Sequence, residues 1–273
     1  MWFFVVLGAL VVLYLVAIIP RMWNRPDKIQ LFGQLYAHRG LHDNESGAPE
    51  NSMAAFAKAV ENGYGIELDV QLTKDFIPVV FHDFTLQRVC GAPGKVCDYT
   101  YEELQAFSLC KSEEKIPKFA DFLALVGGKV PLIIEYKIEW ADSKVCEVVD
   151  ALLREYQGPY CIESFNPCAL WWYRKNRPEV IRGQLSTNYA KDGKLKGKPL
   201  YLALQHLLFN FGTKPDFIAY EHRFMNNLSF QLATKLWGAL AVAWTIRSEE
   251  ELKRARSSYQ LFIFDSFVPA EKK

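Results

Sequence analysis

The chain has 273 residues, of which 50% are hydrophobic and 23% charged, and its formal net charge is +1. So even a balance gives no electrostatic basis for binding nucleic acid, and none is expected as a partner. Six cysteines without a C-x-x-C pair exclude the usual zinc and disulfide frameworks and fit reduced thiols.

The N-terminus comes first. From Trp2 to Pro20 there is no charged residue. As a helix this run would cover about 28 Å, close to the roughly 30 Å hydrocarbon core of a bilayer. A cleaved signal peptide would need basic residues before the run and a small-x-small site after it, and neither is visible. Residues 1–20 are therefore predicted as a retained transmembrane helix, touching the lipid bilayer through 2–20. Arg21, Arg25 and Lys28 follow it, which by the positive-inside rule places the body of a single-pass protein on the cytoplasmic side. Residues 21–33 read as a polar linker, and 34–273 as the folded body.

Along that body, strand-like runs fall at 34–38, 65–70, 79–82, 130–136, 160–164, 182–185, 216–220, 241–246 and 261–265. Amphipathic helices separate most of them. Ser52, Thr100 with Glu103, and Ser248 with Glu251 supply N-terminal caps. Only eight residues separate 65–70 from 79–82, too few for a crossover helix, so that pair reads as a hairpin. Setting the added strand aside leaves eight, which predicts a (β/α)₈ TIM barrel with a small β-hairpin insertion. A doubly wound sheet would want a G-x-G-x-x-G turn, and the sequence has none.

In such a barrel the chemistry sits where the strands end. Strand 65–70 alternates Ile66, Leu68 and Val70 with Glu67 and Asp69, so the two acids share one face. Glu135 ends a later strand. Three carboxylates suit a hard cation such as Ca²⁺ or Mg²⁺; alternatively they form an ion network with Arg39 and Lys137. His38 and His82 stand at two further strand ends, either as a general acid and base or as structural histidines. Arg39 and Lys137 could hold the charge of a phosphate. Taken together, these groups suggest metal-assisted attack on an anionic ester.

The stretch "AHRG…APENSMAAFAKAVENGYGIELDVQLTKD…VVFHD…LIIEYK" resembles the glycerophosphodiester phosphodiesterases. The likeness is strongest over 36–137 and continues through "ESF" (163–165) and "AWTI" (243–246). The resemblance implies a TIM barrel with a hairpin insertion and hydrolysis of glycerophosphodiesters to glycerol 3-phosphate and an alcohol. It implies one divalent cation, Ca²⁺ or Mg²⁺, on Glu67, Asp69 and Glu135, with His38 and His82 as the acid–base pair. Arg39, Lys137, Trp244 and Glu50 would border the substrate; Glu50 and Asn51 lie in the "PEN" turn, which also reads as a helix cap. Phe76 stands where the family's hairpin often has Gly, Arg247 where Asn is usual, and "IFDSF" replaces the usual last-strand ending.

Segment 191–214 has a lysine-rich loop followed by an apolar stretch, Leu200 to Phe211. It reads as an outer barrel helix, or as an element holding the site near anionic lipid headgroups. Beside the main reading stand two others: a lysophospholipase D-type activity on lysophospholipids, and a catalytically silent module that binds headgroups.

Overall fold

Nine strands form one sheet: β1 Tyr36–His38, β2 Gly65–Leu72, β3 Pro78–Val80, β4 Leu132–Tyr136, β5 Tyr160–Ser164, β6 Arg182–Ser186, β7 Phe217–Glu221, β8 Leu240–Ile246 and β9 Leu261–Phe264. The computed structural model describes residues 2–139, 141–191 and 199–271. β1 pairs in parallel with both β2 and β9, which closes eight parallel strands into a barrel. β3 stands apart: it runs antiparallel to β2, with Val70 opposite Val80. The hairpin read from the short 65–70/79–82 connection is therefore present, and the count of eight barrel strands holds.

Alternation along the strands sorts their side chains into two apolar layers. Ala37, Ile66, Leu68, Ile134, Ile162, Ile218 and Ala241 pack outward in one cluster with helix residues such as Phe56, Phe122 and Val149. Tyr36, Ile133, Cys161, Phe217, Val242 and Ile263 form the second cluster, inside the barrel. The interior is filled to the point that β6 needs a glycine. A Cβ on Gly183 would lie 1.9 Å from the Phe217 ring.

Above that plug the same inward-facing positions turn polar. Tyr36 is followed two residues on by His38, Ile133 by Glu135, Cys161 by Glu163, Val242 by Trp244 and Ile263 by Asp265. The helix caps form as expected: Ser52 accepts from Ala55 N, and Thr100 and Glu103 make a capping box. β3 and the residues after it share a core of their own, with Val79, Phe81, Leu86, Val89, Leu104 and Ile116 buried together.

The N-terminal expectation is corrected. The apolar run forms a helix only over Trp2–Ala17, 16 residues, or about 24 Å at 1.5 Å per residue. Among the described residues no helix is long and apolar enough to cross a membrane. The run read as one span divides in two because its last residues belong to the barrel. Ile18 is fully buried in the outer core, its carbonyl accepts from Asn210 Nδ2 at 3.1 Å, and Arg21 N donates to Pro215 O at 2.9 Å. Pro20 also disfavours helix in the residue before it. The single-pass reading and the cytoplasmic orientation built on it fall together. Residues 21–33 are tied down as well, with Lys28 Nζ donating to Asp216 O at 3.0 Å and Arg25 to Gly238 O at 3.1 Å. The lysines of the 191–198 loop lie, from 192 onward, outside the described residues. The apolar stretch after them makes the helices Pro199–Gln205 and Asn210–Thr213, with Leu204 and Leu207 buried and Leu200 and Leu202 exposed.

Candidate active site

Arg39 leaves β1 with φ at +56°, in the left-handed region, and Gly40 follows at +83°. Gly40 has no alternative, since a Cβ there would sit 2.9 Å from the backbone of Ala55. The turn is held from both sides: Arg39 N donates to Glu67 O at 2.8 Å, and Arg39 O accepts from Asn51 N at 3.0 Å. A non-glycine residue in this conformation is strained, and here the strain aims the guanidinium across the barrel mouth. It reaches Glu50 Oε1 at 2.6 Å and Asp69 Oδ2 at 3.4 Å.

Glu67, Asp69 and Glu135 meet at the centre of the mouth. Each offers a carboxylate oxygen, and these all lie within 4.8 Å of one another. Parallel register brings them together, because His38 lies opposite Glu67 and Asp69 opposite Glu135. Lys137 Nζ lies 2.8 Å from Glu135 Oε1 and 3.5 Å from Asp69 Oδ1. The ion network expected as one alternative is therefore present, yet it does not balance. Glu163, opposite Glu135 on β5, adds a fourth buried carboxylate. Four acids face two cations, Arg39 and Lys137, and Glu163 Oε2 is buried without a donor among the described residues.

The electrostatics record that excess. Burial, and then the neighbouring acids Asp69, Glu135 and Glu163, push Glu67 well above the usual carboxylate range. Glu163 is raised likewise, by burial and by Glu135 and Asp69. Glu135 is raised by burial, although Lys137 opposes this. Burial acts on Asp69 in the same sense, but His82, Lys137, Arg39 and the Asn51 amide, 3.0 Å away, outweigh it and hold it low. A divalent cation fits this donor set: hard oxygen ligands that are buried, crowded together and hard to ionise side by side without added positive charge.

A histidine stands on each side of the acids. His38 Nδ1 lies 3.2 Å from Asp265 Oδ2, and Nε2 lies 3.9 Å from Glu67 Oε2. A carboxylate can only accept, so Asp265 fixes the proton on Nδ1 and leaves the Nε2 lone pair facing the site. His42 Nε2 approaches the other Asp265 oxygen at 3.1 Å. Burial, then the Arg39 charge, lower the His38 pKa to about 4 against the opposing pull of Asp265. His82 arrives from the insertion: Phe81 N donates to Asp69 O at 3.0 Å, and buried Gln71 donates to Phe81 O at 2.7 Å and to Asp83 O at 2.9 Å. His82 Nδ1 then meets Asp83 Oδ1 at 2.5 Å.

One wall of the mouth is aromatic. The Phe165 and Trp244 rings meet edge to face, 5.4 Å apart, and Tyr189 and Tyr201 extend the row at 6.5 and 5.1 Å.

The structure thus brings all nine residues singled out in the sequence to the rim. It assigns Glu50 a different neighbourhood from an open substrate wall, since both its oxygens are engaged by Arg39, Arg88 and Asn44. The sequence gives no role to Glu163, Asp83, Arg88 or His42, although Asp83 reads with His82 as the end of the hairpin's second arm. For Glu163 the signal was available, because Cys161 and Glu163 alternate with Ile162 as Glu67 alternates with Leu68. Asp83 directly follows His82. Arg88 lies on a four-residue helix and His42 in an irregular segment, too little regular structure to give a periodic signature.

The profile of the glycerophosphoryl diester phosphodiesterase family matches residues 38–259. A glycerophosphodiester phosphodiesterase of Caldanaerobacter subterraneus is 31% identical over 233 residues, covering 80% of this chain and 87% of that one. Human glycerophosphodiester phosphodiesterase 1 is 30% identical over 187 residues, 63% of this chain and 55% of the human protein. The solved structure of an Oleispira antarctica phosphodiesterase, in complex with its product sn-glycerol-3-phosphate, superposes with a TM-score of 0.69 at 24% identity, covering 86% of this chain and 94% of that one.

Proposed function

The chain belongs to the glycerophosphoryl diester phosphodiesterase family, and from that membership we propose that it hydrolyses glycerophosphodiesters to glycerol 3-phosphate and an alcohol. The observation that carries the reading is one of arrangement. Two histidines, each paired with an aspartate, flank a buried cluster of carboxylates that Arg39 and Lys137 do not neutralise.

A divalent cation, Ca²⁺ or Mg²⁺, held by Glu67, Asp69 and Glu135, would supply charge neutralisation at the phosphoryl oxygens. Arg39 and Lys137 bind the phosphate anion from the two sides of the mouth; Arg39 offers a fork, Lys137 a point charge. Glu50 acts through Arg39, fixing its guanidinium. His38, neutral down to about pH 4, takes the proton from the attacking hydroxyl, the glycerol 2-hydroxyl of the substrate itself. His82, held by Asp83, gives a proton to the departing alcohol. The cyclic phosphate so formed opens when water attacks and the two histidines exchange roles. Trp244 and Phe165 border the glycerol.

One observation favours a second substrate, a lysophospholipid that keeps its acyl chain: the aromatic row passes from Trp244 to Tyr201, whose helix exposes Leu200 and Leu202. A silent headgroup-binding module would have no use for two oriented histidines. The test is hydrolysis of glycerophosphocholine and lysophosphatidylcholine side by side, with EDTA and then with Ca²⁺ or Mg²⁺ restored. The expected result is glycerol 3-phosphate from glycerophosphocholine, lost with EDTA and recovered with one of the two ions. Turnover that ignores the chelator would overturn the metal assignment, and inactivity on both substrates the enzymatic one.

A further inference from the structure

Arg88 stands between the stretches "VVFHD" and "LIIEYK", inside the residues that the family profile matches. It lies on the short helix Gln87–Cys90 of the insertion, with its side chain half exposed. Yet its guanidinium makes four hydrogen bonds to two carboxylates. Nε donates to Asp83 Oδ2 at 2.7 Å and Nη2 to Asp83 Oδ1 at 2.9 Å. Nη1 donates to Glu50 Oε2 at 2.7 Å and Nη2 to Glu50 Oε1 at 2.7 Å. An exposed ion pair is ordinarily worth little, because two flexible chains must be ordered to make it. Here the far partner is already ordered: Glu50 is buried and fixed by Arg39 at 2.6 Å and Asn44 at 3.0 Å. Arg88 therefore hangs on a rigid anchor at the barrel rim.

Its other arm ends at Asp83, whose carboxylate holds His82 Nδ1. Gln71 secures the backbone of this turn but leaves the Asp83 side chain free to rotate. A single chain of contacts thus runs Arg39–Glu50–Arg88–Asp83–His82. We infer that Arg88 is a positioning residue: its fork locks the Asp83 carboxylate so that His82 keeps one ring orientation in register with Arg39. This rests on the acid–base reading of His82 given above.

If the effect of Arg88 passes through His82, the two substitutions do not add. Arg88→Ala should lower kcat on glycerophosphocholine by about tenfold or more, within the range of acid–base catalysis. In a His82→Ala background the same change should have almost no further effect. A merely structural Arg88 would slow both backgrounds equally, and that result would overturn the inference, as would wild-type kcat in Arg88→Ala. A second measurement needs no substrate. The wild-type proton spectrum should show a downfield Nδ1–H resonance, identified by its absence in His82→Ala, and Arg88→Ala should lose it while its thermal melt stays cooperative. A resonance that persists would overturn the inference. An inactive wild type would sink the proposed function and leave this spectroscopic arm to decide about Arg88. Should Arg88→Ala fail to fold, Arg88→Gln, which keeps the bulk but not the fork, goes through the same measurements.

Discussion

His38 and His82 share a local pairing, an imidazole Nδ1 against an aspartate, but differ in everything around it. His38 ends a barrel strand, its side chain 15% exposed, and its partner Asp265 directly follows the last strand, 227 residues away. His82 sits on an inserted loop, its side chain 31% exposed, and its partner is the next residue. Burial beside Arg39 keeps His38 neutral, so its available role is to accept a proton. His82 faces the mouth beside the carboxylates of Asp83 and Asp69 and is reached from solvent. The division teaches that the fold sets a histidine's role through its surroundings, and that the identity of its hydrogen-bonding partner does not suffice.

Replacing either histidine should have the largest effect. His38→Ala and His82→Ala are each expected to lower turnover by about 10²–10⁴, the typical contribution of acid–base help. The thermal melt of His82→Ala should stay near that of the wild type, since a part-exposed ring on a loop contributes little to the core. Wild-type turnover in either variant would end its assigned role. Asp265→Asn comes next, with kcat expected to fall roughly 10–100-fold, because the tautomer and aim of His38 are lost while its ring remains. The same variant sharpens the contrast in its pH profile. In the wild type the acid limb of kcat/KM should lie near pH 4, where His38 protonates, instead of near 6.5. Asp265 raises the His38 pKa, so removing its charge should move that limb to still lower pH.

The smallest effect concerns stability, on the side of His82. Phe76, in the turn from β2 to β3, has φ at +59° and a side chain that is 57% exposed. The left-handed conformation costs an L-residue about 1–2 kcal/mol, part of which glycine loses again in chain entropy. Phe76→Gly should therefore stabilise the protein by up to about 1 kcal/mol in chemical denaturation, with turnover unchanged.

Much of this was legible before any coordinates. The period-two runs located all nine strands to within a few residues, and the short gap after residue 70 separated the hairpin from the barrel. The acids of β2 were visible because alternation alone puts Glu67 and Asp69 on one face. What escaped was tertiary. Nothing local marks His42 as the neighbour of Asp265, or Arg88 as the bridge from Glu50 to Asp83, because each contact joins segments that meet only once the barrel has closed. The N-terminal run misled for the opposite reason. Its uninterrupted apolarity is real, but Ile18 uses it to fill the outer core, and hydropathy cannot tell one apolar environment from another.

The separate core beneath the insertion has a consequence for how the site comes and goes. Val79, Phe81, Leu86, Val89, Leu104 and Ile116 pack with one another instead of with the barrel. Segments with their own core tend to open as cooperative units, below the free energy of global unfolding. One half of the proposed acid–base pair thus rides on a different foldon from the other. In native-state hydrogen exchange the amides of 79–116 should open together while those of β1 and β2 stay protected. Each such opening would part His82 from His38 and leave the barrel itself intact.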